Sequence, residues 1–215
     1  MDFEVWEPFY HQILDDFGFS RDEDERVARE LDEGLGGRLA DDAELQSLLD
    51  GQEVTVAGNG PNLAAEIDRV RGVLVTADEA TTVVLGKGFR PAIVVTDLDG
   101  IVQDQVKAND AGAIAVVHGH GDNGPAVRKW APLFAGRTVA TTQARPTGRL
   151  RNFGGFTDGD RAVFLADHFG AARIHLVGFD FEHPSPKDDD PRTKQRKLDW
   201  AYILLASLGR EDLEL

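Results

Sequence analysis

Thr96-Asp97-Leu98-Asp99-Gly100 sets two carboxylates one residue apart, directly after the apolar run Ala92-Ile93-Val94-Val95. Along an extended chain, side chains two positions apart share a side, so Asp97 and Asp99 can reach a common point. Carboxylates held that close repel unless a cation lies between them. Hard oxygen donors suit magnesium, and magnesium beside phosphate is the usual setting for such a pair. The competing reading is a solvated acidic turn, against which the preceding buried-type strand weighs.

Val117-His118-Gly119-His120-Gly121-Asp122-Asn123-Gly124 carries a second constellation. One reading is a zinc hydrolase centre built on His118, His120 and Asp122, with imidazoles on the metal. The other makes Asp122 a third acid facing the Asp97/Asp99 ion, so that all three aspartates serve as catalytic and metal-binding groups. The hydrolase pattern continues with a further histidine where this chain has Asn123, which favours the second reading.

Other segments could hold the anionic partner of such an ion. Gly58-Asn59-Gly60-Pro61-Asn62 follows the apolar run Val54-Thr55-Val56-Ala57, and backbone N–H groups of such a turn can cradle phosphate. A dinucleotide fingerprint would need glycine at position 63, which is Leu, and no Walker lysine follows. Asp78 ends Val73-Leu74-Val75-Thr76-Ala77, where it could meet a ribose hydroxyl or cap the next helix. Thr157 and Asp158 precede an apolar helical face as caps or ligands, and Arg161 in that first turn opposes the helix dipole, which hints at an anionic ligand. Arg192, Lys194, Arg196 and Lys197 gather four cations in six residues, with Lys194 and Lys197 spaced to grip a polyphosphate. Balancing of Asp188-Asp189-Asp190 is the bland alternative for them.

The whole chain is strongly acidic. Its 215 residues carry a formal net charge of -15, with 17 Arg, 6 Lys, 25 Asp and 13 Glu. That balance argues against nucleic acid as a partner, because a phosphate backbone rewards a basic surface. Acid-rich, Lys-poor composition fits a protein adapted to high salt, where ions screen self-repulsion. No cysteine is present, so thiolate chemistry and disulfides are excluded. There is no apolar run long enough to span a bilayer, and the acidic start lacks the marks of a secretory signal. The expectation is a cytoplasmic protein with no membrane partner; a homodimer is left open.

The elements that must position these groups follow from periodicity. Residues 1–50 read as helical, with no strand-like run, and form an N-terminal appendage. From 51 to 215 short apolar runs alternate with amphipathic stretches. Strands are expected at 53–57, 72–76, 92–96, 113–118, 138–142 and 174–178, and helices at about 61–70, 78–86, 101–111, 124–134, 158–170 and 191–208. That alternation predicts an α/β fold, a Rossmann-like parallel sheet flanked by helices, with acids at the carboxyl ends of its strands. The stretch 184–191 reads as a loop, either solvated or a lid.

Taken in order, Gly58-Asn59-Gly60-Pro61-Asn62-Leu63, Thr96-Asp97-Leu98-Asp99-Gly100, His118-Gly119-His120-Gly121-Asp122-Asn123 and Gly178-Phe179-Asp180-Phe181 resemble the archaeal 6-hydroxymethyl-7,8-dihydropterin pyrophosphokinases. The resemblance covers roughly three quarters of the chain, from about residue 53 onward. A more distant similarity is to thiamine pyrophosphokinase, through Ala77-Asp78-Glu79-Ala80, Asp97-Leu98-Asp99-Gly100 and Thr157 to Ala162. That family's glycine pair and serine are missing here, and Arg161 stands where lysine is usual. The resemblance implies an ATP-dependent enzyme that transfers diphosphate to the hydroxymethyl group of a reduced pterin and releases AMP, in folate or methanopterin biosynthesis. It implies Mg2+ on Asp97, Asp99 and Asp122. ATP would meet Gly58, Asn59, Gly60, Asn62, Asp78, Thr157, Asp158, Arg161, Lys194 and Lys197. The acceptor would meet His120, Asn123 and Asp180. For the pterin ring, Asn59, Asn62, Asn123 and Gln143 stand as unranked candidates.

Overall fold

The computed structural model describes residues 1–184 and 190–215. Its elements run α1 (Phe3–Phe17), α2 (Arg21–Gly34), β1 (Arg38–Leu39), α3 (Asp42–Leu49), β2 (Glu53–Ala57), α4 (Leu63–Glu66), β3 (Val73–Ala77), α5 (Ala80–Gly86), β4 (Ile93–Thr96) and α6 (Val102–Asp110). They continue with β5 (Ile114–Gly119), α7 (Gly124–Trp130), β6 (Arg137–Thr142), α8 (Asp158–His168), β7 (Arg173–Val177) and α9 (Pro191–Ser207). The expected α/β architecture is present. Of the stretch 184–191, residues 185–189 lie outside the described residues.

The seven strands pair in parallel in the order β1-β6-β5-β4-β3-β2-β7. Val and Ile dominate because both faces are covered, and alternate side chains enter different cores. Val75, Ile93, Val95, Ile114 and Val116 point into one core with α8, whereas Ala115 and Val117 face α2, α6 and α7 on the other side. From β2 to β6 the chain steps steadily toward one edge. It then returns, by way of α8 under β2, β3 and β4, to place β7 beside β2. That reversal opens a crevice at the carboxyl ends of β2 and β7, where ligands of open α/β sheets bind.

The N-terminal region differs from its sequence reading in two ways. Arg38–Leu39 adds a short strand beside β6, which no apolar run announced because only two residues pair. The helices also do not stand apart. Trp6, Tyr10 and Ile13 of α1 are fully buried in the same core as the strands, and Val27 and Leu31 of α2 fill the opposite core. Two expected helices are shorter than read: 61–70 becomes α4 plus a 3-10 turn at Ile67–Arg69, and 124–134 becomes α7 plus a 3-10 turn at Ala131–Leu133.

Candidate active site

Three carboxylates meet at the carboxyl edge of the sheet. One oxygen each from Asp78, Asp97 and Asp158 lies within 4.8 Å of the others. Asp78 follows β3, Asp97 follows β4, and Asp158 opens α8, whose N-terminal dipole favours negative charge there. The backbone holds Asp78 at φ 43 and Leu98 at φ 71, left-handed values that L side chains rarely adopt. Such strain persists where the surroundings over-determine it, which functional sites do.

Leu98 also explains where Asp99 goes. Reaching a common point required an extended chain, but the left-handed turn at the buried Leu98 separates the two aspartates. Asp97 turns into the carboxylate cluster, while Asp99 sits exposed at the rim and accepts from Gly100 N at 2.7 Å. Asp122 is also outside the cluster. It lies exposed on the 3-10 turn Gly121–Asn123, which Asn123 fastens inward by donating Nδ2 to Asp97 O at 2.7 Å and to His118 O at 2.8 Å. The structure therefore groups Asp97 with Asp78 and Asp158, in place of Asp99 and Asp122.

The electrostatics are those of like charges forced together. Burial and the Asp158 and Asp97 charges push Asp78 well above the usual carboxylate range. Burial and Asp97 likewise raise Asp158, opposed by Arg161. Burial also pushes Asp97 upward, yet His120, Arg161 and Lys197 together carry it down to about 2. Arg161 places Nη1 3.0 Å from Asp158 Oδ1, and His120 Nε2 stands 3.4 Å from Asp97 Oδ2. Thr96 Oγ1 lies 2.6 Å from Asp78 Oδ1 and 2.7 Å from Gln105 Oε1. Asp97 Oδ1 is buried with no hydrogen-bond partner. A convergent set of hard oxygens with one such orphan fits a divalent cation.

A cleft of about 340 Å³ is lined by the cluster together with Gly58, Asn59, Gly60, Lys194 and Lys197. A side chain at Gly58 or Gly60 would collide with Gly178 O, so glycine lets the β2 turn lie against the end of β7. Asp99, Thr157, Asp158 and Asp180 also line this cleft, as do Phe156, Phe179 and Phe181. In the sequence Phe179 and Phe181 enter only as the flanks of Asp180; the structure brings them, with Phe156, to the lining of the cleft.

Several expected ligand groups have structural partners. Asn62 donates to Phe179 O at 3.0 Å, tying the β2 turn to the β7 end. Arg161 is buried behind Asp158, away from the cleft, so its charge serves a carboxylate of the protein. Asn123 is buried beneath Asp97, with His120 beside it. The zinc constellation does not assemble. His118 is fully enclosed, held in its neutral form by burial and by Arg161 and His120, and sits with Nδ1 3.0 Å from Thr141 Oγ1. Among the described residues, His118, His120 and Asp122 form no group able to share an ion.

A protein of Methanothermobacter thermautotrophicus named 6-hydroxymethyl-7,8-dihydropterin pyrophosphokinase is 43% identical, over 98% of this chain and 96% of its own length. Proteins of the same name from Pyrococcus furiosus and Methanocaldococcus jannaschii are 41% and 34% identical, each over 95% of this chain and over 93% and 95% of their own lengths. Among solved structures, a Maf glycosyltransferase of Magnetospirillum magneticum overlays with a TM-score of 0.46 and 19% identity, covering 80% of this chain and 29% of that one. The family model described as 6-hydroxymethylpterin diphosphokinase MptE-like matches residues 30–185, and this chain belongs to that family.

Proposed function

We propose that this protein transfers diphosphate from ATP to the hydroxymethyl group of 6-hydroxymethyl-7,8-dihydropterin, releasing AMP. The supporting observation is that the Asp78/Asp97/Asp158 cluster lines the same cleft as Lys194 and Lys197. In this reaction the acceptor oxygen bonds to the β-phosphorus of ATP. The bond from that phosphorus to the α,β-bridging oxygen breaks, AMP leaves with that oxygen, and the hydroxyl proton passes to solvent. Little covalent work falls to the protein, which positions the reactants and neutralises charge.

Asp78, Asp97 and Asp158 would hold Mg2+, which when bound offsets the charge on the phosphate oxygens. Lys194 and Lys197 would pair with the transferred phosphates. Backbone N–H groups of the Gly58–Gly60 turn would meet the nucleotide, and the Phe156/Phe179/Phe181 wall offers the apolar surface that a flat bicyclic ring requires. Asp180 and Asp99, both lining the cleft, would accept from the N–H groups of the ring.

The test is AMP release from ATP with hydroxymethyl-dihydropterin and thiamine side by side, with and without Mg2+, for the parent and Asp97→Asn. The expected result is Mg2+-dependent AMP formation with the pterin only, at least about 100-fold lower in the variant. Release of ADP in place of AMP, or a fully active Asp97→Asn protein, would contradict the proposal.

A further inference from the structure

A buried carboxylate of α2 links the N-terminal helices toward the carboxylate cluster. Asp24 of α2 is 2% exposed. Its Oδ2 accepts from the Tyr10 hydroxyl at 2.7 Å and from Gln143 Nε2 at 2.8 Å, and its Oδ1 accepts from Gly121 N at 2.7 Å. Burying a carboxylate is costly, and three donors converging on it are what make the arrangement stable. A capping or solubilising role would leave this side chain at the surface.

Two chains of contacts lead from Asp24 to two different members of the cluster. In the first, the carboxylate fixes which way the Gln143 amide faces. With Nε2 donating to Asp24, Oε1 faces Arg161 Nη2 at 3.4 Å, and Arg161 Nη1 lies 3.0 Å from Asp158 Oδ1. In the second, the anchored Gly121 N holds the turn from which Asn123 Nδ2 reaches Asp97 O at 2.7 Å. Asn123 Oδ1 meanwhile accepts from His120 N at 3.0 Å, which sets the ring whose Nε2 faces Asp97.

We propose that Asp24 is a positioning residue for the diphosphate transfer: its buried carboxylate orients Gln143 and the Gly121–Asn123 turn, and thereby sets the spacing of Asp158 and Asp97. The inference rests on reading Asp78, Asp97 and Asp158 as a divalent-cation site. Arg161 and Asn123 adjoin the would-be ligands, a place where alteration typically changes metal affinity 10- to 100-fold, and Asp24 acts through them, so the low end of that range is expected of it.

The substitution Asp24→Asn isolates this role. The new side-chain oxygen still serves Gly121 N, and the Tyr10 hydroxyl can turn to accept from the new amide. Gln143 has no such freedom. Its Nε2 would face another N–H donor, so the amide must flip and present Nε2 to the Arg161 guanidinium. Adding Gln143→Glu corrects both conflicts, because a carboxylate at position 143 accepts from the amide introduced at position 24 and pairs with Arg161.

The readout is Mn2+ binding to the substrate-free protein, followed by electron paramagnetic resonance, with circular dichroism to report folding. Parent protein should bind Mn2+, Asp24→Asn should bind about 10-fold more weakly while folded, and the double variant should return to within about threefold of the parent. Parent protein that binds no Mn2+ overturns the cation-site reading and this inference with it. A parent that binds while Asp24→Asn binds equally well overturns this inference alone, as does a double variant no better than the single one. Should Asp24→Asn fail to fold, Gln143→Met cuts only the Arg161 arm, and unchanged Mn2+ affinity there overturns the inference.

Discussion

Replacing Asp78 by Asn should make the metal-free protein more stable while removing its function. The three carboxylates converge within 4.8 Å. At an effective dielectric near 20, a fully ionised pair at that distance repels by about 3.5 kcal/mol. Part of this is relieved to the extent that Asp78 and Asp158, both shifted upward by burial and by neighbouring carboxylates, ionise later than an ordinary carboxylate. What remains for Asp78→Asn to recover is roughly 1–2 kcal/mol. Asn suits the left-handed backbone at φ 43 at least as well as Asp, so the exchange adds no strain.

The pH dependence gives the sign. An unfolded Asp ionises near 3.9, whereas Asp78 in the folded protein ionises at higher pH. Between those limits the folded protein binds more protons than the unfolded chain, so its stability falls as pH rises. The variant lacks that loss, and its advantage should therefore be greatest at pH 8. Thermal unfolding without divalent cations should show a rise of about 2–8 °C over the parent at that pH. Adding Mg2+ should raise the melting temperature of the parent and much less that of the variant. A variant less stable than the parent in chelator at pH 8, or one equally stabilised by Mg2+, would refute the reasoning.

Two further outcomes follow from placement and charge. Asp122→Asn should keep AMP-forming activity within about twofold of the parent, because Asp122 is exposed and outside the cluster; a loss of about 100-fold would return it to the chemistry. With a net charge of -15, the protein should lose circular-dichroism signal when dialysed from molar to millimolar salt, as self-repulsion is unscreened; an unchanged spectrum would refute the reading of adaptation to high salt.

Much of the fold is legible in the order of residues. Val-rich runs such as Ile93-Val94-Val95 are buried on both faces, and their alternation with amphipathic stretches leads to a parallel sheet. The short strand at Arg38–Leu39 is not legible, since its pairing with Arg137 and Thr138 is set by a distant segment. Nor is the depth at which α1 is buried, because Trp6 and Tyr10 look like one face of an ordinary amphipathic helix.

The chemistry divides along the same line. Residue order suggests phosphate chemistry beside a cation, through Asp97 after a buried strand, a glycine turn at 58–60, late lysines at 194 and 197, and no cysteine, whereas the transfer of diphosphate enters only with the family resemblance. Local spacing also suggested that Asp99 and Asp122 belong with Asp97. Which carboxylates converge is settled in three dimensions, because convergence depends on strand order and on one backbone angle at Leu98. Adjacent β3 and β4 bring Asp78 to Asp97, and the return of the chain beneath the sheet delivers Asp158 from sixty-one positions away. Spacing along a chain can report which groups share a local face, and only the path of the chain through the sheet can report which distant groups share a charge.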